Sequence, residues 1–228
     1  MRTFYKMSMG IATAGLLVAG MTACSMSSDT ASSPSSSAPS EAADPTPIAS
    51  IPALDGVDTA VALDQGFVDA LTSLELTPGV TGTATLVDGS LHFPITGGNV
   101  DYYDPEAKYR PYVQGEIDHE GSGITLSNAD ESIVVGLSDF VIDPGTSRLT
   151  GTVTANGEEV GTDVYIFNLD GSTLKPLAED ADGNAVLEGT TVLVSPDAAA
   201  LLNKTFGTDA VTDQLVVGIA KITAAAAK

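Results

Sequence analysis

The sequence predicts a mostly β fold, a single antiparallel β-sandwich or barrel-like domain with two short helices. Three observations lead there. Apolar segments are short and end at Gly, Asp or Asn turn signals. Two pairs of such segments meet across Asp88-Gly89 and Asn156-Gly157, dipeptides that favour two-residue hairpins. Only two stretches carry helix caps.

Taken in order, Asp64 stands before Phe67, Val68 and Leu71, whose spacing puts them on one face of a short capped helix. Residues 80–87 and 90–95 then form a hairpin around Asp88-Gly89, with Leu91, Phe93 and Ile95 on one face and His92 and Pro94 on the other. Further strands are expected at 112–119, 123–127, 132–135, 139–142, 149–155 and 160–169, the last two joined by Asn156-Gly157. Strands at 185–194 and 215–222 complete the set, and between them Ser195-Pro196-Asp197 opens a second helix that Gly207 ends. Residues 164–167 and 215–222 are apolar on both faces, which suits central strands rather than edges. Laying 61–71 over 192–202 aligns Asp64 with Ser195 and Leu71 with Leu202, a faint internal duplication.

Before the domain, Arg2 and Lys6 precede an apolar run over 7–20, shorter than the ~20 residues a spanning helix needs but suited to a signal-peptide core. The run closes on Met21-Thr22-Ala23-Cys24, which resembles a bacterial lipobox with Met21 in the place where Leu is usual. On that resemblance residues 1–23 are a lipoprotein signal peptide, and Cys24, diacylated at sulfur, is the mature N-terminus. Nine of the sixteen residues from Ser25 to Ser40 are Ser, so residues 24–50 read as a disordered Ser/Pro-rich tether. The β-rich domain is expected over 51–223 and a frayed tail over 224–228. The chain is therefore expected to be secreted and held by lipid on the outer face of the bacterial cell membrane.

Charge and composition narrow the function. Thirty acidic against nine basic side chains give a net charge of -21, which repels phosphates and excludes a nucleic-acid binder. Trp is absent and Cys occurs once, so Cys-cluster zinc sites and disulfide scaffolds are ruled out by counting. No Gly-x-Ser-x-Gly elbow, His-Glu-x-x-His helix or phosphate-cradling Gly loop occurs, and the chain reads as non-enzymatic. Glu179, Asp180, Asp182 and Asn184 crowd one turn, but their register fails that of a calcium loop, and a solvated hairpin turn is expected.

The most unusual segment runs from Asp101 to Tyr112. It contains Tyr102, Tyr103, Tyr109 and Tyr112 with Lys108 and Arg110 between them. Tyrosine oxygen ligates ferric haem and the two cations suit propionates, so the segment has the chemistry to seat a porphyrin. The same residues equally describe a loop crossing the sheet edge with its tyrosines packed flat. In the strand that follows, Val113, Gly115, Ile117 and His119 share a face, which puts His119 on an apolar side as a ligand or as a satisfied core residue.

Three further stretches carry a family resemblance: Phe93-Pro94-Ile95-Thr96-Gly97-Gly98, then Gly115-Glu116-Ile117-Asp118-His119-Glu120-Gly121, then Phe140-Val141-Ile142-Asp143 with Leu149-Thr150-Gly151-Thr152-Val153. Their order and spacing over residues 57–170 resemble the HtaA-type domain of actinobacterial haem-uptake proteins, a surface-attached β-rich module that binds haem through a tyrosine with a nearby histidine. The resemblance implies that His119 stands at the family's histidine. The family's tyrosine lies in an N-terminal Trp-containing motif, and the equivalent stretch here, Gly66 to Leu71, holds neither Trp nor Tyr. Ligation has then moved to the tyrosines near Tyr103, or the fold is kept without haem. The expectation is a cell-envelope-anchored ligand-binding lipoprotein for haem or a similar flat hydrophobic ligand. The alternative is a structural or protein-interaction lipoprotein whose sandwich contacts another envelope component.

Overall fold

The computed structural model describes residues 45–227. Among these the chain runs β1 (Ala49–Ile51), β2 (Leu54–Leu63), α1 (Gln65–Ser73), β3 (Thr77–Gly82), β4 (Thr85–Val87), β5 (Ser90–Pro94), β6 (Gly97–Tyr102) and β7 (Val113–Ser127). It continues through β8 (Val134–Asp143), β9 (Arg148–Ala155), β10 (Glu158–Asp170), β11 (Ala178–Glu179), β12 (Ala185–Val194), α2 (Pro196–Phe206) and β13 (Val216–Ala226). The signal peptide, Cys24 and most of the tether fall outside the described residues. β1 starts two residues ahead of the expected domain boundary, and β13 continues three residues past 223, with Ala224 buried and paired to Ala185 and Val57.

All strands belong to one antiparallel sheet, ordered β1-β6-β7-β8-β9-β10-β12-β13-β2-β5-β4, with β3 added to β7 and β11 to β12. The sheet does not close into a barrel. It folds over on itself, so that β7 and β8 in one arm face β2 and β5 in the other, and the main apolar cluster lies between them as in a sandwich. β10 and β13, the strands apolar on both faces, lie centrally in the order as expected. Both turns form where their dipeptides stand, Val87 pairing with Ser90 and Ala155 with Glu158, but the strand expected over 80–87 is split: β4 pairs with β5, while Val80, Thr81 and Gly82 belong to β3 and pair with β7. The strands β2 and β12 flank β13, and each leads into a helix capped by the residue expected, Asp64 for α1 and Ser195 for α2.

The sequence splits 112–127 and 132–142 into four strands, and the structure makes two. β7 and β8 each carry a bulge, between His119 and Gly123 and between Ser138 and Val141. A bulge inserts one extra residue and flips which parity faces inward. Val113, Ile117 and His119 are buried before it, Ile124 and Leu126 after it, and β8 changes likewise from Val135 and Leu137 to Phe140 and Ile142. A parity break looks like a turn when only alternation is visible. The two bulges are stitched together, the Gly121 amide donating to Asp139 Oδ1 at 2.9 Å.

β6 also escaped the sequence reading, because its Gly97-Gly98 start resembles a turn. Its pairing with β7 explains the glycines: Gly98 at φ 107° and Gly115 at φ 120° oppose the neighbouring strand so closely that a Cβ would strike the carbonyls of Glu116 and Asn99. These are two of the glycines in the stretches that carry the family resemblance.

Candidate ligand cavity

Between the two arms of the sheet lies a cavity of about 560 Å³. That size falls in the range of small-molecule sites, ~300–1,000 Å³. Its walls are aliphatic and aromatic, with Phe93, Ile117, Phe140, Phe167 and Val192 among them. Three surface segments frame its mouth: the β6–β7 loop at Arg110, Pro111 and Tyr112, the β8–β9 turn at Pro144 and Ser147, and the segment after β10 at Gly171, Ser172 and Leu174.

Each of those segments is held in place by its own hydrogen bonds. The Arg110 guanidinium donates to the carbonyls of Ala107, Tyr109 and Pro105 at 2.7, 2.7 and 2.8 Å, and it lies 5.3 Å from the Tyr112 ring centre. Asp143 accepts from the amide and hydroxyl of Thr146. The Thr173 hydroxyl donates to Gly189 O at 2.6 Å, and Lys175 Nζ meets Glu188 Oε1 at 2.7 Å. The mouth is thus pre-formed.

His119 reaches the cavity from the inner part of β7 and is 1% exposed. Its Nε2 meets Thr59 Oγ1 at 2.8 Å, its ring stands edge-on to Phe93, and its Nδ1 has no hydrogen-bond partner of good geometry. Burial lowers its pKa to about 4, against opposing effects of the backbone at Phe140, the charge of Asp58 and the backbone at Ile117. The imidazole is therefore neutral at physiological pH. His92 lies on the other face of its sheet arm and pairs with Asp58 at 2.6 Å.

The tyrosines serve each other more than the cavity. Tyr102 is buried and meets Tyr112 edge-to-face at 5.9 Å; Tyr103 and Tyr109 meet at 4.7 Å. Lys108 is exposed. Of the seven residues singled out by the sequence, Arg110, Tyr112 and His119 line the cavity. Tyr112 stands at the mouth, and the seven residues from Val113 to His119, at ~3.3 Å each, span about 23 Å of extended chain. The acidic turn is a hairpin as expected, closed by Asp180 accepting the amides of Asp182 and Asn184 at 2.9 Å each.

The haem that the family resemblance implies can be tested against these residues. An iron ligated by tyrosine and supported by histidine needs the two side chains together. Here seven residues of extended chain separate Tyr112 from His119, and His119 Nε2 is engaged by Thr59. Where the family carries its tyrosine, Phe67 and Leu71 of α1 turn into the core. The residue set does not fit that mode of iron ligation.

No family model and no curated protein matches the chain. Among solved structures, the crystal structure of the C-terminal domain of HtaA from Corynebacterium glutamicum aligns over 76% of this chain and 99% of that one, with TM-score 0.51 and 11% identity. At that identity the likeness is one of fold. An HtaA-like β fold is what the chain has.

Proposed function

We propose that this protein is a non-enzymatic binding protein of the cell envelope, anchored through a lipidated Cys24, which holds a hydrophobic small molecule in the interior cavity. One observation carries the reading: a large apolar cavity with a pre-formed mouth, where a domain without a ligand to hold would be close-packed. The Ser-rich stretch ahead of the domain suits a tether, and the lipobox-like ending at Cys24 suits a membrane partner reached through lipid.

Ligand-linked stabilisation tests it. Unfolding of the full chain is followed with and without apolar ligands, hemin among them. A ligand bound only by the folded state raises stability by about 2.7 kcal/mol at one hundred times its Kd. The reading requires such a rise for at least one apolar ligand; none across the series sends the search to protein partners in the envelope.

A further inference from the structure

Resting on that reading, we infer that the ligand is a single-chain amphiphile with an anionic headgroup, its head at Arg110 and its chain laid inward along β7.

The lining of the cavity supports a chain. It includes Tyr112, Val113, Ile117 and His119, which span about 23 Å of extended backbone. Along its inner part the cavity offers Ile117, Phe140 and Phe167, surfaces that reward methylene groups.

Placement of the head follows from charge. The full chain carries -21, and Arg110 is the one Lys or Arg among the residues that line the cavity. Arg110 has five N–H donors and commits three to carbonyls of its own loop, which fix its position and leave two for a ligand. A guanidinium held in this way pairs well with a carboxylate or a similar oxyanion. The inner end offers an anion no cation, since the imidazole there is buried and bonded to Thr59.

The test is displacement of cis-parinaric acid, a fluorescent C18 carboxylic acid, from the full chain by oleic acid and by oleyl alcohol, with hemin titrated separately. Saturable parinarate binding is expected, with oleic acid displacing it at about tenfold lower concentration than the alcohol. Arg110→Gln should bring acid and alcohol to equal displacing concentrations and Arg110→Lys should restore part of the difference, with near-native urea midpoints of both variants reporting an intact fold. Equal displacement by acid and alcohol in the native chain overturns the headgroup assignment. Saturable hemin binding with a shifted Soret band, and no parinarate binding, overturns the inference while sustaining the proposed function. Binding of neither overturns both.

Discussion

The imidazole of His119 and the hydroxyl of Thr59 meet at 2.8 Å although 60 residues separate them. Their strands, β7 and β2, are not neighbours in the sheet. The bond therefore spans the two arms of the folded sheet, and it is the polar contact at the inner end of an otherwise apolar cavity.

That pair makes stability depend on pH. His119 titrates near 6.5 when unfolded and at about 4 when folded, so between those values the unfolded chain binds a proton that the folded one refuses. The stability from the neutral buried imidazole is complete above about pH 6.5 and is lost as pH falls toward 4. The loss is on the order of 3 kcal/mol. Denaturant unfolding at pH 7 and pH 4.5 should show a smaller decline for His119→Phe than for the native chain; equal declines would remove His119 as the cause.

Thr59→Val keeps the shape and deletes the hydroxyl, leaving Nε2 without its partner. A cost of about 1–3 kcal/mol is expected. Combined with His119→Phe the loss should fall clearly short of the sum, and strict additivity in the double-mutant cycle would mean that the two groups do not interact.

The two helix caps differ in burial, and their energetics should differ accordingly. Ser195 Oγ accepts from the Ala198 amide at 3.0 Å and donates to Tyr165 O at 2.6 Å, and the residue is 0% exposed. Asp64 caps α1 in the open, accepting from the Gly66 amide at 2.8 Å. Ser195→Ala is expected to cost about 2 kcal/mol and Asp64→Ala about 0.5–1 kcal/mol, read from urea midpoints.

Gly98→Ala should cost more than about 2 kcal/mol, since a Cβ at φ 107° is strained and also meets the Glu116 carbonyl. Gly157→Ala, also at positive φ but with open space around it, should cost less. Reversal of that order in thermal unfolding would show that backbone approach does not explain the β6–β7 glycines.

How much was legible in the sequence depends on which interactions are local. Asp88-Gly89, Asn156-Gly157, Asp64 and Ser195 act within a few residues, and each hairpin and helix they announce is present. The facing bulges in β7 and β8 are long-range features: Asp139 reaches back to Gly121, and nothing in the alternation separates a bulge from a turn. The same limit applies to the site. The tyrosine-rich segment was visible as composition, but whether its rings face a cavity or one another is decided by the packing of Tyr102 on Tyr112 and Tyr103 on Tyr109. Thr59 carried no signal at all, because its role exists only once β2 and β7 are brought face to face.

Because the chain has no Trp, a single one placed at the mouth by Leu174→Trp is an unambiguous reporter of the cavity. Titrating that variant with cis-parinaric acid asks whether the interior is a ligand site. An interior site gives a saturable change in Trp emission that unlabelled oleic acid competes away. A change that grows linearly without saturation, and that no competitor reverses, would contradict it.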